Sequence, residues 1–488
     1  MSASAQLSTP YQPLRILAML TGLSLVMRFF SFFPSVMDHD ESTYLVIADA
    51  LRHGDVYLRD VIDTKPIGIF TLLAIFQMLF GKSIILFRII TAIWIALTAW
   101  MLYLAHRELI KDSPGYKHNA GPVASGVIYV FIISIFTFYG ISPNTEHFFN
   151  LFTITALFLI LRYQGLLWLF LAGVLLGLGF MIKYVVLFDA LALGLFYLWR
   201  QVSAGKKWMY WFSRCALMAI GFIIPFLCVW MYYRQLGMEE TFMFFSFELS
   251  GRYIINPPWY EYIRYVMDGL LRFLPVTVWF VFCSWHWRAT GISLPLLSWL
   301  WGGLVIIIIL LPGKLFAHYF IQFMLPFSLL AGSFFDPRRS PGRPYGWMRK
   351  PSIGYPILAI LIIVNVAFQK SDYAAKKDHA AEAAQYLNTQ LQPGDQLYTA
   401  NAPQIIYLLT GTQSPTPYVH PSLIWDKNNS TALGIDRDEE WNKILAQEPR
   451  FILIKDNLKP DNPILPALDT AYQQVQTFGK ELVLFERR

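Results

Sequence analysis

Three carboxylates, Asp38, Asp40 and Glu41, stand within Met37–Tyr44, just past the first apolar run of the chain. At a membrane mouth such charges are costly unless they are solvated, paired or bound to metal. They suit a general base, a metal ligand, or both. The bland alternative is a solvated loop in which Asp40 caps a helix that starts near Glu41. The same stretch of chain ends on Asp60, Asp63 and Lys65-Pro66. Pro66 is placed to open a helix, which would set Asp63 and Lys65 at its N-terminus, facing the loop that carries Asp40. A carboxylate and a cation at one water–lipid boundary suit chemistry on a lipid phosphate, whereas an ordinary surface pair of this kind is worth little.

A further set of charges falls in or beside apolar runs: Arg28, Arg88, Lys183 and Lys314, with Glu146-His147 and His318-Tyr319. Singly, a lysine near a helix end often only snorkels to the interface. Several cations converging on one leaflet would neutralise a phosphate or pyrophosphate leaving group. Asp189 lies deeper in an apolar run, suits pairing with another helix and has no assigned role. Cys215, Cys228 and Cys283 show no metal-binding spacing and read as small core residues. No Gly-x-x-x-x-Gly-Lys loop and no Gly-x-Gly-x-x-Gly turn points to nucleotide use.

The elements that must position these residues follow from composition. Of 488 residues, 56% are hydrophobic and only 15% charged, against about 25% charged in ordinary soluble domains. That excludes a soluble fold, disorder, collagen and a coiled coil, and leaves an integral membrane protein. Residues 1–369 carry 27 Lys and Arg against 17 Asp and Glu, and residues 370–488 carry 12 against 15. The basic excess therefore belongs to the membrane part and reports topology rather than a nucleic-acid partner. A crossing helix needs about 20 apolar residues. Runs near 14–33, 84–106, 122–140, 147–162, 165–182, 184–199, 213–233, 269–287, 292–311, 315–334 and 353–369 meet that need, giving eleven spans. The first reads as an uncleaved span, because Phe32-Phe33-Pro34 is the wrong chemistry for signal peptidase.

Basic clusters fix the parity. Arg107/Lys111/Lys117, Arg162, Arg200/Lys206/Lys207/Arg214, Arg288 and Arg338/Arg339/Arg343/Arg349/Lys350 are expected in the cytoplasm, as is the N-terminus. Segment 66–80 then starts and ends outside and reads as a juxtamembrane or re-entrant helix, with a short twelfth span as the alternative. The membrane domain is thus 1–369, with a first outer loop at 34–83 and a second at 235–268, whose Pro257-Pro258-Trp259-Tyr260 suits the interface. Residues 370–488 form a small outer α/β domain. Its helices are expected at 373–391, 403–410, 438–447 and 464–476, and its strands at Gln396–Ala400, Phe451–Lys455 and Leu482–Phe485. No catalytic cluster is evident in it.

Taken in order, these residues resemble the bacterial members of the protein O-mannosyltransferase superfamily, which includes the aminoarabinose transferase that modifies lipid A. The resemblance runs over most of the chain. It rests on Asp40-Glu41-x-x-Tyr44, Gly54-Asp55-Val56-Tyr57, Asp63-x-Lys65-Pro66, Leu79-Phe80-Gly81 before Arg88, Asn144-Thr145-Glu146, Gly177-x-Gly179 with Lys183, and Lys314 with His318-Tyr319. It implies a GT-C fold and use of a polyprenyl-phosphate sugar. It also implies that Asp40 matches the family's catalytic first-loop carboxylate and Lys65 the lysine of its Lys-Pro-Pro motif. Ile67 replaces the second proline here, and Thr64 stands where aminoarabinose transferases have a Glu directly before the lysine. That departure weakens the carry-over of the aminoarabinose substrate and of any metal site built on that Glu. The Trp-Trp-Asp motif of oligosaccharyltransferases is missing, so transfer of whole glycans to Asn is not implied.

The expectation is an inner-membrane hexosyl- or pentosyltransferase of the periplasmic face. It would move one sugar, with inversion, from undecaprenyl phosphate to an acceptor hydroxyl. Asp40 is the expected base. Lys65, Arg88, Lys183, Lys314 and His318 are expected on the donor phosphate, and Glu41, Asp63, Glu146 and Tyr319 as acceptor contacts or ligands of a divalent metal, the one cofactor left open. The acceptor is a glycolipid or a protein; its identity, the sugar and the oligomeric state stay open. Two other classes compete. A transporter or lipid flippase would place its charges near the bilayer midplane, and a scaffold or sensor would work through its outer tail.

Overall fold

The computed structural model describes residues 12–111, 119–252, 255–286, 291–336, 351–455, 458 and 464–488. Of the expected cytoplasmic basic residues, Lys117, Arg288, Arg338, Arg339, Arg343, Arg349 and Lys350 lie outside the described residues. The chain is a multi-span helical membrane protein with a small C-terminal sheet. It divides into two compact bodies, one within Met1–Phe30, Arg88–Cys228 and Asn256–Gln369, the other within Ser31–Phe87, Val229–Ile255 and Lys370–Arg488.

Helix occurs at each of the eleven expected spans. Among the described residues, seven helices are long and apolar enough to cross a membrane, eight if the bent pair Trp259–Arg272 and Leu274–Trp285 is one span. Ala120–Ile132 and Leu166–Ile182 are apolar but shorter. Ile67–Phe80 is a helix of 14 residues. At 1.5 Å per residue it reaches roughly 21 Å, short of a hydrocarbon core of about 30 Å.

In the first body, helix Phe320–Gly332 is buried at every residue, as expected for a helix that is apolar all round. Leu166–Ile182 lies against Trp208–Gln235 through glycines. A Cβ built on Gly173 would lie 2.1 Å from the Met218 carbonyl oxygen, one on Gly177 2.3 Å from that of Phe222, and one on Gly221 2.3 Å from that of Phe170. This close approach fixes the helix that ends at Ile182, immediately before Lys183. Four details depart from expectation. The helix expected over 122–140 stops at Ile132, and the chain turns back through Gly140, whose φ is 155°. The run 269–287 is broken at Phe273 with a 94° bend, because Pro275 in the first turn of Leu274–Trp285 cannot continue a preceding helix. Within 235–268 much of the chain is helix rather than loop, at Glu239–Met243, Leu249–Arg252 and the start of Trp259–Arg272. Cys283 is a core residue, but Cys215 is half-buried and Cys228 exposed. Cys228 shares its helix with exposed Ile220, Ile223, Leu227 and Met231, an apolar surface suited to lipid.

In the second body, helix His39–Arg52 packs on Ile67–Phe80 and on Ile405–Thr410. The C-terminal sheet has the order β1-β2-β4-β3, with β1 (Leu397–Thr399), β2 (Phe451–Lys455), β3 (Tyr472–Phe478) and β4 (Leu482–Arg487). β1 and β2 are parallel, and β4 pairs antiparallel with both β2 and β3. Tyr398, Trp441, Ile452 and Leu468 are among its buried core. The helix expected over 464–476 ends at Ala471. Tyr472–Phe478 is a strand instead, because the turn at Gly479, with φ 62°, folds it back onto β4 as a hairpin. The first tail helix is His379–Gln390, shorter than the expected 373–391.

Candidate active site

Helix His39–Arg52 begins two residues earlier than the sequence suggests. Its N-cap is Asp38, whose Oδ1 accepts from the Glu41 backbone N–H at 2.7 Å. Asp40 is therefore not the cap but sits in the first turn, where the helix dipole favours a carboxylate. Lys65 Nζ donates to Asp40 Oδ1 at 2.6 Å and lies 3.4 Å from Asp63 Oδ2. The structure thus brings Asp40 together with Asp63 and Lys65, which lie more than twenty residues further along the same loop. Asp63 is 1% exposed, while the Asp40 and Lys65 side chains keep 19% each, so the pair is reachable. Tyr44 places its ring 5.3 Å from the ammonium. Tyr57 holds the backbone beneath: its hydroxyl bonds to the carbonyl oxygens of Asp63 and Lys65. Glu41 is buried at 1% exposure.

The same carboxylate has neighbours from the C-terminal domain. His420 Nε2 lies 3.6 Å from Asp40 Oδ1. Burial, then the nearby Lys65 charge, pushes the His420 pKa down to about 4, so the ring is neutral near pH 7. His39 donates from Nδ1 to Gln404 Oε1 at 3.1 Å, and its Nε2 lies 3.3 Å from Lys455 Nζ. Burial lowers its pKa too, against the Gln404 bond. Gln404 Nε2 in turn donates to the His39 carbonyl at 3.0 Å and to Thr43 Oγ1 at 2.5 Å. The Asp378 carboxylate accepts from the Ser35 backbone N–H and hydroxyl. Sequence reasoning missed His420, Gln404 and Lys455. None of the three belongs to a local motif that points to Asp40, so only the tertiary fold announces them.

In the first body the structure assembles a second set. Glu146, at the start of helix Thr145–Arg162, is 1% exposed and accepts a hydrogen bond from Lys183 Nζ and one from Thr145 Oγ1 at 3.1 Å. The Lys183 ammonium lies 4.1 Å from the Tyr319 ring centroid, and His318 stands 4.8 Å from that ring. The segment that leads into the Glu146 helix is held by Arg28, which donates to the carbonyl oxygens of Ile133 at 3.1 Å, Gly140 at 2.9 Å and also Ile141. His147 Nε2 adds a 2.7 Å bond to Gly140. Arg88 is buried in Ile84–Ile110, and Lys314 lies in the turn before the short helix Ala317–Tyr319. Asp189 pairs with other helices as expected, accepting from Trp301 Nε1 at 2.5 Å and Gln322 Nε2 at 2.7 Å.

Metal fits the first cluster poorly. The Lys65 ammonium occupies the place between Asp40 and Asp63 that a cation would take, and among the described residues no group of three or more His, Cys, Asp or Glu could hold a metal ion.

Residues 64–232 match the family model described as dolichyl-phosphate-mannose-protein mannosyltransferase. The match includes Lys65, Arg88, Glu146 and Lys183 and stops short of Asp40, Lys314, His318 and Tyr319. A comparison with curated protein sequences finds no match. Among solved structures, the chain is similar to ArnT from Cupriavidus metallidurans bound to undecaprenyl phosphate, with a TM-score of 0.69 at 13% identity, over 97% of each chain. The apo state of that ArnT gives 0.66 at 13% identity, over 96% of this chain and 97% of the other. The likeness is one of fold and spans both the helical part and the C-terminal domain: the chain has the GT-C architecture expected for it.

Proposed function

We propose that this GT-C chain is a membrane glycosyltransferase that moves one sugar, a hexose or a pentose, from undecaprenyl phosphate to an acceptor hydroxyl. The observation that carries the reading is the Asp40–Lys65 pair: a reachable carboxylate at a helix N-terminus, bonded to an ammonium, on the fold of a protein whose own structure holds undecaprenyl phosphate. Asp40 takes the proton of the acceptor hydroxyl as its oxygen bonds to the anomeric carbon. The bond from that carbon to the phosphate oxygen breaks on the opposite face, so the configuration inverts and undecaprenyl phosphate leaves with the electron pair. Base catalysis of this kind contributes about 10²–10⁴-fold.

Lys65 is assigned to the negative charge that develops on the leaving phosphate, and Asp63 to holding Lys65. Lys183, His318, Arg88 and Lys314 are assigned to the donor by their charge, and Glu146 and Tyr319 to holding Lys183; each is a separate test. Glu41, buried beside Asp40 in the same helix turn, stays assigned to the acceptor. No step is drawn through a divalent metal. The protein works in the bacterial inner membrane with its N-terminus in the cytoplasm and the C-terminal domain in the periplasm. The experiment is mass spectrometry of envelope glycolipids and glycoproteins from a deletion strain against its parent. One mass equal to a single sugar should be missing, and its carrier identifies the acceptor. An unchanged envelope profile overturns the reading.

A further inference from the structure

Residues of the C-terminal domain reach the carboxylate that the proposed reaction depends on. His420 Nδ1 accepts from the Ser422 backbone N–H at 3.2 Å and lies 2.8 Å from the Ser422 hydroxyl. A backbone N–H can only donate, so Nδ1 of the neutral ring carries no hydrogen. The hydrogen is on Nε2, the nitrogen aimed at Asp40 Oδ1 from 3.6 Å. The register that brings this ring there is set two residues upstream. The Ile62 N–H donates to the Pro417 carbonyl at 2.7 Å, and Ile62 bridges Tyr418 in parallel. One bridge thus ties the segment leading to Asp63 and Lys65 to the segment leading to His420. Gln404, fully buried and bonded to His39 and Thr43, fixes the turn of helix on either side of Asp40.

We infer that His420 is a positioning residue for Asp40: its Nε2–H closes on the carboxylate when the acceptor binds and holds it in the orientation that receives the acceptor proton. The inference rests on the reading of Asp40 as the base. It makes the C-terminal domain part of the reaction machinery, with Gln404 as the anchor that keeps the Asp40 helix against it. Apart from Lys65, the charged and titratable groups facing this ring are Asp40, Asp63 and His39. Lys65 already donates to Asp40 Oδ1 at 2.6 Å, so His420 Nε2–H supplies a second donor to that oxygen.

The test uses the full chain in the deletion strain, with the rate of appearance of the missing envelope mass followed after induction at equal protein level. His420→Ala should slow transfer roughly 10- to 100-fold, the range expected when a reacting group is misplaced by about 1 Å. His420→Gln, whose amide N–H reaches the same place, should restore it to within a few-fold. Binding of undecaprenyl phosphate to the purified variants should stay within twofold of wild type, and their melting temperatures should show that the chain is still folded. His420→Ala transferring at the wild-type rate overturns the inference. So does His420→Gln being as slow as His420→Ala while both bind undecaprenyl phosphate normally. Asp40→Asn, run alongside, separates the two claims. If it transfers normally the base assignment itself fails; if it is inactive and His420→Ala is normal, only the role of His420 fails.

Discussion

Replacing Lys183 by Met strips the ammonium from a Glu146 carboxylate that is 1% exposed. Leaving a buried charge without its partner costs about 3–5 kcal/mol, and the lost contact with the Tyr319 ring, 4.1 Å from the ammonium, adds up to about 2 kcal/mol where it is desolvated. Replacing both partners removes the uncompensated charge, since a buried pair exchanged for neutral groups is often close to neutral overall. Lys183→Met should therefore melt well below wild type, and Lys183→Met/Glu146→Gln should recover most of the difference. Thermal unfolding of the two single variants and the double variant in one detergent gives the cycle. The same variants in the deletion strain separate architecture from chemistry. If Lys183 meets the donor phosphate, the double variant is stable yet still fails to restore the missing sugar mass. Lys183→Met melting with wild type would refute the energetic argument. A stable double variant that transfers normally would refute the donor assignment and leave Lys183 a purely structural residue.

Three more outcomes are expected. Tyr57→Phe removes the hydroxyl that holds the Asp63 and Lys65 carbonyls, and should cost about 1–3 kcal/mol and slow transfer, read by melting and by envelope mass. Gly177→Ala drives a Cβ to within 2.3 Å of the Phe222 carbonyl. The two helices must part, at about 1–3 kcal/mol, and Lys183 at the end of one of them shifts, so both melting temperature and transfer should fall. His420 titrates at about 4 in the folded chain against an ordinary 6.5, so the unfolded chain takes up the proton first as pH falls. That contribution is intact above about pH 6.5 and fades towards pH 4, with about 2 kcal/mol gone at roughly pH 5. Wild type should therefore lose more melting temperature than His420→Gln between roughly pH 7.5 and pH 5.

The helices were legible because apolar runs leave a chain little else to do in a bilayer, and the spacing from Asp40 to Pro66 was enough to expect an anionic and a cationic group at one boundary. The cap was misplaced by two residues: Asp38 and Asp40 are chemically equivalent, and only backbone geometry decides which accepts from Glu41. Strand β3 was hidden because Tyr472–Phe478 is rich in glutamine, and its hydrogen-bond partner β4 rather than its own composition makes it a strand. The break at Phe273 turned on one proline inside an otherwise continuous apolar run. The network around Asp40 was the least legible part. Gln404 meets His39 across 365 residues of sequence, and no local pattern carries a contact of that separation.

The central claim is that the Asp40 carboxylate is the base of a sugar transfer. Asp40→Asn keeps the size and the hydrogen-bonding shape of the side chain and removes its capacity to take a proton. In the deletion strain, at equal protein level, the rate at which the missing sugar mass returns should fall by about 10²–10⁴-fold, while the purified variant still binds undecaprenyl phosphate. Return of that mass at the wild-type rate would contradict the account.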